Sequence, residues 1–391
     1  MREIVSHLTH EATRPEAARA RTGATRVLGA IVRCMPAVHV PEAPASLAPP
    51  APLQALATER AWCREALLRV SRTFALNIRC LSGRMLESVR LAYLLCRAAD
   101  ALEDSWPGPA HEMAMRFDDL VQALEGDRTA AARLVAGAAV QRPRADLDLL
   151  SRLPALLRVL ESLEPADADD VRQCVRTMAR GMKRYATRAA DRGALEPYLE
   201  DDDELRDYCH VVAGCVGEML TRLVSRSIED DDAALHARRL ELAPVVGEAL
   251  QLTNILLDWP VDLRGGRCHV PRSWLARHRL SPRDLIGPSS EARELSLRLA
   301  TLAHASLDRV PDYLDTIPTR EHRYRLFCLL PALWARASLD VALARPGFHA
   351  IAQRPRLPRA TVMLEAFRGL LAHGQHGATR QVLGRRVLPA T

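Results

Sequence analysis

A chain of 391 residues that is 48% hydrophobic and has only 19 glycines holds ample apolar side chains for one large core or two ordinary ones, which excludes an intrinsically disordered protein. Its 54 basic and 48 acidic residues leave a charge of +6, and Lys183 is the only lysine; a chain-wide preference for arginine suits phosphate-bearing ligands without marking a site. Nine cysteines with no CxxC pair, no signal-peptide core and no continuous apolar run of about 18 to 20 residues speak against a zinc module, a secreted disulfide scaffold and a membrane-spanning chain, and for a cytoplasmic protein that touches a membrane at most peripherally.

Residues 1–57 read as an extension: an arginine-rich start, then Pro36, Pro41, Pro44, Pro49, Pro50 and Pro52, which cannot propagate a helix. From 58 to 372, long Ala/Leu/Arg/Glu tracts without alternating β-branched runs predict an all-α domain, broken near 107–109, 142–144, 196–198, 265–271 and 287–290 by Pro or Gly turns. Residues 373–391 read as a disordered basic tail.

Within that domain, residues 84–106 contain no Gly or Pro and predict a single helix. Tyr93, Arg97, Asp100 and Asp104 recur at i, i+4, i+7 and i+11 and therefore share one stripe. On an otherwise apolar helix such charges are costly unless paired or bound to metal. Further along, 201–224 begins with an acidic run, Asp201 to Glu204, suited to a helix N-terminus. Tyr208 is then expected to start a helix whose Ala213, Gly214 and Gly217 admit close approach of another backbone.

Residues 247–267 repeat the first device. Gln251, Asn254, Asp258 and Asp262 fall at i, i+3, i+7 and i+11, so two carboxylate pairs facing each other would hold hard divalent cations against diphosphate oxygens. Taken singly, a DxxxD is more often a solvated helix face; two of them, each with Asn, Gln, Arg or Tyr in register, favour a shared site. Pro260 lies inside the second motif and predicts a kink or an end near Trp259.

The blocks SRTFALNI (71–78), YLLCRAADALED (93–104), YCHVVAGCVG (208–217), QLTNILLDWPVDLRGGR (251–267) and FCLLP (327–331) resemble the ordered signatures of the squalene/phytoene synthase superfamily, over roughly residues 60–365. MARGM (178–182) is similar to a further block of its squalene synthase branch. The resemblance implies a helical isoprenoid-synthase domain with a central apolar cavity, in which Asp100, Glu103 and Asp104 form one Mg²⁺-binding motif and Asp258 and Asp262 the other. It further implies that Ser71, Arg72, Tyr93, Arg97, Gln251, Asn254 and Arg267 serve the diphosphate, that Tyr208 handles a proton, and that Phe74 and Phe327 offer π faces to carbocations. Arg356 and Arg359 sit where the squalene branch has a basic cluster. The implied reaction joins two farnesyl diphosphates head to head through presqualene diphosphate to squalene, releasing pyrophosphate, with Mg²⁺ and NADPH as cofactors; no GxGxxG fingerprint accompanies the NADPH expectation.

Three departures stand against the family pattern: Leu257 where many members have Arg, Pro260 inside the second motif, and Ala332 where the squalene branch often has a polar residue. The competing readings are a phytoene synthase that takes two geranylgeranyl diphosphates without reductant, and a relative that makes presqualene diphosphate or hydroxysqualene. Head-to-tail prenyltransferases and terpene cyclases are disfavoured because DALED lacks the DDxxD form. An inactive membrane-associated helical protein is disfavoured by five retained carboxylates, and nucleic acid by the lack of a basic stripe with interleaved aromatics.

Overall fold

The computed structural model describes residues 51–384 apart from 107, 230, 288, 346 and 349–353. Among the described residues there is no strand. The principal helices are α1 (Ala51–Val70), α2 (Arg72–Ile78), α3 (Gly83–Asp104), α4 (Ala110–Leu124) and α5 (Pro165–Arg192). There follow α6 (Asp202–Cys209), a single π turn (His210–Gly214), α7 (Cys215–Ser225) and α8 (Val245–Arg264). Last come α9 (Ser290–Asp308), α10 (His322–Leu343), α11 (Arg359–Ala372) and α12 (Ala378–Gly384). Shorter helices fill the connections.

Local chemistry explains where these elements begin. Ser71 caps α2 by accepting from the Phe74 N–H at 3.2 Å, and Asp201 caps α6 by accepting from the N–H groups of Asp203 and Glu204 at 3.1 and 3.0 Å. The acidic run thus serves the helix start. α1 begins at Ala51 with Pro52 in its first turn, where the missing N–H has no intrahelical partner to lose. The rest of the expected extension lies outside the described residues. The expected C-terminal tail is folded in part, because α12 buries Thr379 and Leu383.

α3, α5, the π turn with α7, α8 and α10 pack around a central space, with α9 against α8 and α11 against α10. Glycines set the closest crossing. A Cβ on Gly217 would lie 2.1 Å from the carbonyl oxygen of Ala243, just ahead of α8, and one on Gly247 would lie 2.1 Å from that of Ala213 in the π turn, so the π turn with α7 and the start of α8 meet backbone to backbone. A Cβ on Gly181, in the MARGM block, would lie 2.4 Å from Val211, which is how α5 seats the π turn.

One expected break is absent. α8 runs through Pro260 to Arg264, and α10 runs likewise through Pro331. Trp259, Pro260 and Leu263 are all buried, and that packing outweighs the lost backbone bond. Although no apolar run is uninterrupted, the segments Ala233–Arg264 and Thr319–Leu343 reach the length and hydropathy of a membrane span. Their most apolar windows are 72% and 78% buried inside the fold, which makes them core.

Candidate active site

The C-terminal ends of α3 and α8 converge on one polar cavity of about 1090 Å³, open to solvent. α3 contributes Arg97, Asp100, Glu103 and Asp104; α8 contributes Gln251, Asn254, Asp258 and Asp262. Spacings of three, four and seven residues keep each set on one side of its helix, so both carboxylate groups look into the same space. The turn after α8 adds Arg267 and His269, the chain before α5 adds Arg144 and Asp146, and Tyr208 enters from α6. Tyr208 therefore ends a helix ahead of the π turn, where it had been expected to start one. A π turn shifts the register of the side chains that follow and is a common feature of functional sites.

Arg267 ties the two acidic groups together. Its Nη1 lies 3.3 Å from Asp104 Oδ1 and 3.5 Å from Glu103, and its Nη2 lies 3.6 Å from Asp262 Oδ1. Burial opposes its charge, and the carboxylates of Asp262 and Glu103 more than restore it, holding the guanidinium above its usual range. Arg97 behaves in the same way: burial works against its charge, but the bond to Asp100 at 2.9 Å prevails. Asp146 stays below the usual carboxylate range; burial alone would raise it, and the Ser105 hydroxyl 2.5 Å away together with Arg144 and Arg97 prevail.

α3, the π turn and α8, which wall the polar cavity, also wall an apolar cavity of about 720 Å³. Phe74, Tyr93, Val216, Leu250 and Phe327 are among its lining residues. Tyr93 thus sits in the apolar part, its ring 5.3 Å from that of Phe74, and burial pushes its phenol up to about 12. At the far end the hydroxyls of Thr221, Tyr313 and Tyr324 satisfy one another, at 2.8 and 2.6 Å. Ser71 is buried as the α2 cap, whereas Arg72 is exposed and does not line either cavity.

Tyr208 lines the polar cavity, edge-on to Tyr185 at 5.3 Å. Its hydroxyl lies 3.4 Å from His269 Nε2, and His269 Nδ1 lies 3.5 Å from Asp262 Oδ2. Burial first, then the Glu103 carboxylate, holds the phenol well above its usual value, so it is a neutral hydroxyl at physiological pH.

A family model described as squalene/phytoene synthase matches residues 67–361, the span that carries every wall of both cavities. The chain belongs to the squalene/phytoene synthase family. Within this family, it is 27% identical over 291 residues to the squalene synthase of Schizosaccharomyces pombe and 28% identical over 279 residues to that of Homo sapiens. These alignments cover 73% and 71% of this chain; the chain spans 60% and 62% of those proteins' length. Among solved structures, a complex of TcSQS with the ligand BPH1237 superposes with a TM-score of 0.69 at 24% identity, over 83% of this chain and 89% of that one. A dehydrosqualene synthase with a ligand gives 0.55 at 20% identity, over 81% and 98%. Both show the all-α isoprenoid synthase fold.

The departures from the family pattern now have a structural account. Leu257 is buried and turned away from the polar cavity, and Ala332 is fully buried beside Pro331. A guanidinium reaches the second motif from elsewhere: Arg354 Nη1 donates to both oxygens of Asp258 at 2.7 Å, and its Nη2 donates to Asn254 Oδ1 at 3.1 Å. Arg356 and Arg359, the two positions singled out from the sequence, are exposed. Arg354, His269 and Asp146 escaped the sequence reading; only the closeness of His269 to the GGR turn offered a hint.

The donors suit Mg²⁺ in kind. Six carboxylates line the polar cavity against three guanidiniums, with Arg354 a fourth on Asp258, which still leaves an excess of hard oxygen donors that divalent cations would balance. Gln251 Oε1 is buried there with no hydrogen-bond partner. Among the described residues, no three acidic or imidazole groups form a ready cage. Mg²⁺ needs none, because it is usually held by one or two carboxylates plus substrate phosphate and water.

Proposed function

We propose that this protein condenses two allylic isoprenoid diphosphates head to head, taking farnesyl diphosphate through presqualene diphosphate to squalene. The observation that carries the reading is the Arg267 bridge: one guanidinium spans Asp104 of the first acidic group and Asp262 of the second, across a single cavity. A diphosphate entering there meets cations from both sides and an apolar chamber directly behind.

In this reading Asp100, Glu103, Asp104, Asp258 and Asp262 hold Mg²⁺, with Gln251 and Asn254 beside the second set. Mg²⁺ bound there would neutralise charge on the departing diphosphate and so favour ionisation of the allylic C–O bond. Arg97, Arg267 and Arg354 orient the diphosphate oxygens, Arg in each case matching two oxygens at once. Phe74, Tyr93 and Phe327 present ring faces to positive charge on the isoprenoid, and the apolar walls exclude the water that would trap it.

Tyr208 takes the proton lost when the cyclopropane closes. As a neutral phenol it accepts only by releasing its own proton, and His269 at 3.4 Å is the neighbour placed to receive it. For the reductive half, the family resemblance implies NADPH as hydride donor, and the contribution of this chain would be the closed apolar chamber.

The test is to incubate purified protein with labelled farnesyl or geranylgeranyl diphosphate and Mg²⁺, with and without NADPH, and to identify the lipid. Squalene from the farnesyl arm with NADPH supports the proposal. Phytoene from the geranylgeranyl arm, or presqualene diphosphate or hydroxysqualene as the end product, replaces it with the corresponding relative. Asp100→Asn and Asp258→Asn should each lower turnover by about a hundredfold or more. Unaltered turnover in both would remove the metal roles.

A further inference from the structure

We infer that the outer face of α11 is a docking surface for an anionic phospholipid bilayer. Leu364, Phe367 and Leu371 fall at i, i+3 and i+7 and form one stripe, exposed by 54%, 57% and 64%. Among the described residues no other helix exposes three large apolar side chains. A contiguous apolar stripe of this kind is unusual on a protein that meets only water.

The helix is fixed in place, so the stripe is not a product of loose packing. Its inner face buries Val362, Ala366 and Gly369 against α10. A Cβ on Gly369 would lie 3.0 Å from Leu330 and 3.2 Å from Leu333, and the Trp334 indole donates to the Val362 carbonyl at 3.2 Å.

Charge selects the occupant. The only carboxylate on α11, Glu365, is buried and paired with Arg368 at 2.7 Å. From residue 354 to 391 the sequence carries seven arginines and that one acid; Arg354, Arg368 and Arg380 are paired with Asp258, Glu365 and Asp312, while Arg356 and Arg359 are exposed where α11 begins. Apolar side chains flanked by arginine are the pattern of helices that lie in the interface of an acidic leaflet. A two-fold contact between copies through this face would bring arginine clusters together. Residues 1–50, with six arginines and four glutamates, are themselves net basic and complement the face poorly.

The position has a consequence that rests on the proposed reaction. α10 carries α11 on one side and lines the apolar cavity with Phe327 and Pro331 on the other, so a hydrocarbon product forms one helix away from the bilayer. The docking claim itself needs only the surface.

The test is flotation of the full chain with vesicles of phosphatidylcholine mixed with phosphatidylglycerol, and with phosphatidylcholine alone. The wild type should float with the mixed vesicles, less with the neutral ones and less at high salt. Combined Leu364→Gln, Phe367→Gln and Leu371→Gln should lower partitioning by about tenfold or more, and Arg356→Ser with Arg359→Ser should remove the preference for anionic lipid. Melting followed by circular dichroism, unchanged in both variants, shows that they fold. A Phe367→Trp variant should gain fluorescence quenching from brominated lipid. Wild-type protein that stays with neither vesicle, or a triple variant that floats as well as wild type, overturns the inference. So does a dimer that the triple substitution dissociates, or stronger proteolysis within residues 1–50 of that variant, since each names a different occupant. Condensation assayed in detergent is independent: activity without flotation sinks the docking surface alone, and flotation without activity sinks the proposed reaction alone.

Discussion

Arg354 holds Asp258 from the C-terminal segment, its Nη1 2.7 Å from each carboxylate oxygen and the pair largely buried, at 8% and 18% side-chain exposure. The guanidinium occupies the donor atoms that the proposed metal site would use. Arg354→Ala should therefore strengthen binding of Mn²⁺, in the absence of substrate, by about tenfold, the equivalent of one charged hydrogen bond. Arg354→Lys should fall between, since an ammonium cannot span the same three acceptors. Electron paramagnetic resonance of free Mn²⁺ reads this directly; equal affinity in all three proteins would mean that Arg354 and the metal do not compete.

The Tyr208 ring packs edge-on to Tyr185, and Phe at this position keeps that contact while deleting the hydroxyl. Tyr208→Phe should lower kcat by about a hundredfold with KM nearly unchanged. His269→Gln should cost less on its own, and adding it to Tyr208→Phe should cost almost nothing more, because both act on one proton. Additive losses in steady-state kinetics would separate the two residues.

Gly217 and Gly247 each face a carbonyl oxygen at 2.1 Å from where a Cβ would stand. Rigid backbone cannot move aside as a flexible side chain can, so Gly217→Ala and Gly247→Ala should each destabilise the fold by about 3 kcal/mol or more. Chemical denaturation midpoints check this. A midpoint shift no larger than that of an exposed Gly→Ala change, such as Gly374→Ala, would contradict the close crossing.

His210, at the start of the π turn, lies 3.5 Å from both Glu248 and Glu218. The bond to Glu248 leads, opposed by burial and aided by Glu218, and the imidazole is held above its ordinary value. A raised folded-state pKa stabilises fully below the unfolded pKa of about 6.5 and loses that stabilisation as pH rises through the folded value. The melting temperature of wild type minus that of His210→Gln should therefore be largest at mildly acidic pH and shrink toward pH of about 8. A difference that grows with pH would reverse the assignment.

Much of this molecule is readable from local pattern. Helix type follows from the Gly- and Pro-free tract 84–106, and the stripes Asp100/Asp104 and Asp258/Asp262 follow from 3.6 residues per turn. The Asp201 cap and the small residues of 213–217 are equally local. Pro260 was misread because a proline penalty is a local quantity, and burial of Trp259 and Leu263 in the core overrides it.

What periodicity cannot supply is which stripes meet. The sequence by itself determined the helices, the acidic faces and the family signatures, since all depend on neighbours along the chain. Only the tertiary structure decided that Asp104 and Asp262 share Arg267, that His269 stands between Tyr208 and Asp262, and that Arg354, 96 residues beyond Asp258, supplies its guanidinium. The reason is physical: those pairings come from helices packed across a core, where contact follows from shape and burial rather than from spacing.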